Sequence, residues 1–384
     1  MRVQKVHHNA EYDFTLLDDE GLAIPLVSNF LSYLRARSCS PNTLCAYAHD
    51  LQHFYRFLKG ASIQIQDFTP RQTLDFLQYL RAVPSRGKAR TPPAAGIDCG
   101  AAPQLIPQLA PTTVNRVLAA VSTFYEYIIL TDVVSEGENP LRKIPDIATA
   151  RVVPRYTPFL SLTTKQRPVR RVVRVRTAQR LPRPLTDEQV TKLFGTLSRR
   201  RDQAIFLLML QGGLRPGEVL NLHLEDVQYG RRRVSVRYRT DHPKGARTKS
   251  SVERVVDLHE PETLATVSAY MLHERPSDTS ETHLFLVGGG GKKRHEPLGY
   301  AALVKLFRRQ CERLGFHEPW ITPHALRHTH ATRMWESGMR ELTLQKRLGH
   351  ASPESIRMYT RVSDAAMLED YHRALKRAEK DGAL

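Results

Sequence analysis

Apolar residues recur at spacings of three and four along residues 22–135, and that period predicts helices. Ser40 followed by Pro41 joins an N-cap residue to a proline at the first helical position. This is a favoured opening, because the cap oxygen accepts an orphan N–H and proline has none to lose. Leu44, Ala48, Leu51, Tyr55 and Leu58 then share one face. Thr69 and Pro70 open a second helix carrying Leu74, Phe76, Leu77 and Leu80, and a third from near Pro111 carries Val114, Val117, Leu118, Val121, Phe124 and Tyr125. Packing alone accounts for all three stripes.

Two stretches break the pattern. Residues 83–110 are rich in Pro, Gly and Ala and read as a long loop. Residues 151–183 hold ten Lys or Arg, no Asp or Glu, and four prolines, which rule out one continuous helix. A charge run is usually solvated surface, but one without acidic partners between two folded segments suits a phosphate backbone. From Pro184 periodicity returns. Thr186 with Gln189 forms a capping-box pattern, and the apolar run 204–211 predicts a buried helix ending at Gly212 and Gly213. Alternation over 231–240 and again over 252–258 predicts a hairpin with a long tip. Residues 283–287 predict another short strand, and the chain from Tyr300 onward predicts helices. The expected fold class is mainly α with a small antiparallel β-sheet in the C-terminal domain. The expected domains are a helical one at 22–135, a basic linker at 136–183 and a second domain at 184–384.

Composition narrows the function. A chain of 384 residues calls for two or three domains. With 57 Lys and Arg against 39 Asp and Glu, its net charge is +18. That excess points to a polyanion, since each cation that neutralises a phosphate releases condensed counterions; an acidic membrane surface is the other polyanion. Cys39, Cys45, Cys99 and Cys311 lack CxxC spacing, so neither a zinc signature nor a disulfide framework is expected, and a reducing cytoplasm is. No apolar leader core and no run of about 18 apolar residues predicts export or a membrane span.

Four segments then bear on chemistry. In GLRPGE, Arg215 follows a buried helix with Glu218 three residues on, a natural partner for a guanidinium that would be costly to bury alone. The hairpin tip holds Lys249, favoured over Lys244 and Arg247 by its TKSS context. In ITPHALRHTHAT, Thr322 and Pro323 open a helix that places His324 and Arg327 on one face near an N-terminus, where N–H donors and the dipole favour an anion. His328 and His330 fall off that face and read as packing or solvent residues. In LGHASPESIRMYT, a helix end precedes His350, and Tyr359 lies nine residues later. Any one of these alone is as readily structural; a lone tyrosine there is usually core. Together they meet the needs of a hydroxyl attacking a phosphodiester. The two arginines with the imidazoles stabilise charge on phosphorus oxygens, His324 serves as base, a lysine serves as acid for the leaving 5′-oxygen, and Tyr359 is the covalent nucleophile. Such chemistry requires no cofactor and no metal.

The order Arg, Lys, His-x-x-Arg, His, Tyr resembles the tyrosine recombinase (phage integrase) family, with GLRPGE as its first box and HALRHTHAT, LGH and the tyrosine as its second. The likeness covers 184–384, and 22–135 resembles the family's helical core-binding domain. It implies Arg215, Lys249, His324, Arg327, His350 and Tyr359 as catalytic positions, in a two-domain clamp on double-stranded DNA. It further implies a homo-tetramer that exchanges strands through a 3′-phosphotyrosine and a Holliday junction, with the protomer a monomer free in solution. Accessory proteins are left open. Residues of about 365–384 resemble the polar helix that docks on a neighbouring protomer. The long loop and basic linker favour a mobile-element integrase or transposase, cytoplasmic and nucleoid-associated, over a chromosome or plasmid dimer resolvase. A type IB topoisomerase shares the logic but not the N-terminal helices or the LGH-to-Tyr spacing. A non-cutting regulator would have no need of Tyr359, and a metal-dependent transposase would leave this assembly unexplained.

Overall fold

The computed structural model describes residues 1–8, 11–85, 108–134, 138–145, 169–177, 183–248 and 253–349, together with Tyr371, His372 and Leu375. The chain divides into two compact units, Met1–Gln179 and Arg180–Leu384.

The first unit opens on an antiparallel hairpin, β1 (Arg2–His8) with β2 (Glu11–Leu17), that the helical period did not predict. Leu16 from its second strand is fully buried. Helices α1 (Pro25–Ala36), α2 (Pro41–Ala61), α3 (Pro70–Ala82) and α4 (Pro111–Leu130) follow. The predicted openings are present: Ser40 Oγ accepts from the Thr43 N–H at 3.2 Å, and Thr69 donates its N–H to Gln72 Oε1 at 2.6 Å. The expected stripe of α4 is buried throughout. That of α3 is not, because Leu74 is 51% exposed. It stands about 200° around the helix from Phe76, so the two cannot share a core face. Phe54 sits at the centre of this core, edge-on to Phe68 at 5.1 Å and to Phe76 at 5.3 Å. Each such ring contributes roughly 1.5–3 kcal/mol by burial alone.

Parts of 136–183 also pack here. Strand β3 (Lys143–Pro145) pairs antiparallel with β4 (Val169–Arg171), and Leu141 is buried in the core. The Asn115 amide bonds both the N–H and the C=O of Val175 at 2.8 Å. Most of the 83–110 loop lies outside the described residues.

The second unit begins with α5 (Asp187–Gly195), whose expected capping box is formed. Helix α6 (Arg200–Leu210) is the predicted buried helix: every residue from Ala204 to Leu210 is in the core. After α7 (Pro216–Leu220), strands β5 (Val227–Gln228), β6 (Arg233–Val236) and β7 (Arg254–Asp257) form one antiparallel sheet in chain order. The predicted hairpin is β6 with β7, shorter than expected, with Val234 opposite Val256 and Val236 opposite Arg254. Residues 283–287 form no strand of that sheet. Leu284 and Phe285 are buried, and isolated bridges pair His283 with His223 and Leu286 with Pro297. Helices α8 (Pro261–His273), α9 (Tyr300–Arg313), α10 (Pro323–Glu336) and α11 (Glu341–Leu348) complete the described unit. The fold class is as expected, mainly helical with small antiparallel sheets. No described helix is long and apolar enough to cross a membrane. The docking helix expected at about 365–384 falls outside the described residues apart from Tyr371, His372 and Leu375.

Candidate active site

The site is built where α7, α10 and α11 end or begin. Helix α6 stops at Gly212 and Gly213; Gly213 adopts φ +65°, where only glycine sits without strain. A Cβ there would also fall 2.5 Å from the His330 ring. The turn delivers Arg215 to the N-cap of α7.

Glu218 is the pivot. Its side chain has no exposed surface, and both carboxylate oxygens are occupied twice. Oε2 accepts the Arg215 backbone N–H at 2.7 Å, and Oε1 accepts Arg215 Nη1 at 2.7 Å. Arg254 donates Nη1 to Oε1 at 3.0 Å and Nη2 to Oε2 at 2.7 Å. Arg327 Nη1 lies 3.7 Å from Oε2. Burial by itself would raise the Glu218 pKa. The hydrogen bonds from Arg254 and the charges of Arg254, Arg327 and Arg215 outweigh it and hold the carboxyl at about 2.

The same arginines hold the C-terminus of α11. Arg254 Nε donates to the Arg347 carbonyl at 2.8 Å, and Arg327 Nη2 donates to Leu348 O at 2.7 Å. Arg215 Nη1 and Nη2 donate to Leu348 O and Gly349 O at 3.3 and 3.1 Å. These carbonyls are the unpaired, negative end of a helix, which cations satisfy. Arg327 also donates Nη1 to Gly213 O at 2.6 Å, tying the turn after α6 to α10. Gly349, at φ +62°, ends α11 in the left-handed conformation, and a Cβ there would lie 2.7 Å from Arg254 Nη1.

Helix α10 carries His324 and Arg327 in its first turn and a half. Pro323 occupies the first position as expected, but the Thr322 side chain makes no cap hydrogen bond. His324 is half-buried, and His328 lies beside it rather than off that face, with ring centroids 6.5 Å apart. The two are four residues apart, which is one helical turn. Burial, and then the His324 and Arg327 charges, lower the His328 pKa to about 4. His330 is a packing residue: its Nδ1 bonds Leu210 O at 2.9 Å and its Nε2 accepts from Arg347 at 3.1 Å. Burial and the Arg347 charge bring its pKa to about 3, so the ring is neutral.

Arg215, Arg327 and His324 are thus placed within one unit, and the first two meet at Glu218 and Leu348. Lys249, His350 and Tyr359 lie outside the described residues. The segment leading to Lys249 is described: Ala246 and Thr248 are buried, and Gly217 lies so close to the loop that a Cβ would stand 2.5 Å from Arg247 O. Sequence reasoning missed Arg254. Its signal was available: in β7, Arg254 is in phase with the buried Val256, so the alternation puts a guanidinium on the core face. Among the described residues, no three His, Cys, Asp or Glu side chains gather as a metal would require.

Comparison with known proteins agrees with this architecture. Residues 183–366 match the phage integrase family, and residues 27–91 match the phage integrase N-terminal SAM-like domain. Transposase A from transposon Tn554 of Staphylococcus aureus is 30% identical over 385 aligned positions, covering 99% of each chain. Tyrosine recombinase XerC of Caldanaerobacter subterraneus subsp. tengcongensis is 26% identical, covering 90% of this chain and 85% of its own. Among solved structures, the Tn1549 transposon integrase in complex with transposon right-end DNA superposes with a TM-score of 0.59 at 16% identity, covering 91% and 99% of the two chains. The XerH recombinase bound to its palindromic difH substrate gives 0.57 at 18% identity, covering 88% and 81%. The chain therefore belongs to the phage integrase family, the tyrosine recombinases, and is a DNA strand-transferring enzyme.

Proposed function

We propose that this recombinase moves a mobile element by cutting and rejoining DNA through a covalent 3′-phosphotyrosine. Tyr359 Oη attacks the scissile phosphorus, the P–O5′ bond breaks, and the departing 5′-oxygen takes a proton from Lys249. His324 accepts the tyrosine proton, and Arg215, Arg327 and His350 hold the non-bridging oxygens as charge builds on them. A 5′-hydroxyl from the partner strand then attacks the phosphotyrosine, releases Tyr359 and completes one exchange. One pair of such exchanges forms a Holliday junction and a second pair resolves it, within a tetramer that pairs two DNA sites in the cytoplasm.

One observation carries this reading. Arg215 is fixed from behind by the Glu218 carboxylate and two carbonyls, while its side chain stays 18% exposed. Among the described residues, nothing accepts from its Nε–H or from its second Nη2 hydrogen, an edge that fits a phosphate bidentately. The likeness to a transposase along nearly the whole chain supports movement of an element over resolution of chromosome dimers.

The test is a nicked duplex bearing the element's end sequence, incubated with protein in EDTA and run on a denaturing gel. A shifted covalent band that Tyr359→Phe abolishes is expected. Cleavage only with magnesium, or a band that survives Tyr359→Phe, would overturn the mechanism.

A further inference from the structure

We propose that Arg254 is a positioning residue for strand cleavage, setting the phosphate-facing edge of Arg215 and the turn that leads to His350 by holding Glu218 and the Arg347 carbonyl together. The inference rests on the phosphotyrosine reading above and goes beyond it, since Arg254 touches neither DNA nor the nucleophile in that scheme.

Stability alone does not explain this side chain. A buried ion pair can be replaced by well-packed apolar residues with little loss of stability, yet here a guanidinium with 4% of its side chain exposed sits on the core face of a strand. What it supplies is direction. Arg215 grips the Glu218 carboxylate along one edge and Arg254 grips it along the other, each reaching both oxygens. Held from two sides, the carboxylate plane cannot pivot, and neither can the guanidinium it orients. Nε of Arg254 meanwhile fixes the last turn of α11 through the Arg347 carbonyl at 2.8 Å. Gly349 has no Cβ to collide with that guanidinium, and it immediately precedes His350. Arg254 is thus the one described side chain bonded both to Glu218 and to the Arg347 carbonyl. Hydrogen-bond partners that orient a metal ligand typically change affinity or activity by about 10–100-fold when lost, and the same scale is expected for a partner that orients a phosphate-binding guanidinium.

Arg254→Lys keeps the charge but cannot grip both oxygens and the carbonyl at once. The assay is single-turnover cleavage of the nicked substrate, with binding by gel shift and thermal unfolding measured in parallel. A second substrate carries sulfur in place of the bridging 5′-oxygen, a leaving group that needs no proton donor. The expected result is a variant that binds DNA and stays folded at the assay temperature, though it melts lower than wild type, and cleaves both substrates about 10–100-fold more slowly. Wild-type cleavage by the folded variant would overturn the proposal. So would a rate restored by sulfur, because the defect would then lie in leaving-group protonation at the Lys249 tip. If Arg254→Lys does not fold, Arg254→Met with Glu218→Gln removes the buried carboxylate charge along with one of its partners. That pair should lose less than the sum of the Arg254→Met and Glu218→Gln losses, because the two share the Glu218 contact while the Arg347 carbonyl depends on Arg254 alone; fully additive losses would overturn the proposal. Absence of any adduct with the wild-type protein would instead overturn the phosphotyrosine reading beneath it, an outcome no Arg254 variant can imitate.

Discussion

Replacing Glu218 with glutamine leaves the shape of the pivot and removes its charge. The wild-type carboxylate accepts one backbone N–H and three guanidinium N–H groups within 3.0 Å, with no solvent to share the load. Glutamine keeps one acceptor oxygen and turns an –NH2 toward donors that cannot accept from it. The magnitude can be reached in two ways. The carboxyl is held at about 2 against an ordinary 4.5, which corresponds to about 3 kcal/mol of folding stability. Breaking a buried ion pair by removing one partner typically costs about 3–5 kcal/mol. For a unit of this size, the lower figure lowers the melting temperature by about 6–12 °C. The sign with pH also follows. A carboxyl whose pKa is depressed by folding contributes fully above about 4.5, and that contribution fades as pH falls toward about 2. Urea unfolding of both proteins, without DNA, should therefore show a gap of about 3 kcal/mol at pH 7 that narrows as the pH is lowered from 4.5 toward 2. A Glu218→Gln protein within about 1 kcal/mol of wild type at pH 7, or a gap that does not shrink in acid, would refute the reasoning.

Two further outcomes follow from close contacts. Gly217→Ala would push a Cβ to 2.5 Å from the Arg247 carbonyl; backbone yields poorly, so the loop leading to Lys249 must shift. Cleavage should fall by about 100-fold, the scale of a 1 Å misplacement, with DNA binding kept and the sulfur leaving group restoring the rate; an unchanged rate on the oxygen substrate would show the loop does not depend on Gly217. His330 titrates near 3 when folded and near 6.5 otherwise. Between those values the unfolded chain binds a proton that the folded one does not, so stability drops as pH falls below about 6.5, by about 2 kcal/mol between pH 7 and 5 from this residue. His330→Leu should start less stable, because Arg347 Nε and Leu210 O lose their partner, yet lose correspondingly less on going to pH 5 by urea unfolding; equal losses in the two proteins would count against a neutral buried ring.

Much of this protein is written in short-range pattern. The openings at Ser40, Thr69 and Thr186, the stripe of α4, the buried α6 with its glycine stop and the β6–β7 hairpin all follow from spacing and caps, because each depends on residues within a turn or two of one another. Arg215, Glu218, His324 and Arg327 were legible for the same reason: the i to i+3 spacing makes them neighbours on their own helices. What the tertiary structure alone decided is which of these local pieces meet. That Arg215 and Arg327 share Leu348 O, a residue more than 130 positions from the first and 21 from the second, cannot be read from any window of sequence. The spacing of Leu74 and Phe76 shows that both cannot face the core, but which of them does turns on the face α3 offers its neighbours. Arg254 shows the division most plainly. Strand alternation marks it as an inward-facing charge, but only the fold supplies the carboxylate 36 residues away that makes a buried guanidinium tolerable. The physical reason is one of range: propensity and periodicity act between near neighbours, whereas desolvation forces a buried charge to find its partner wherever the fold brings one.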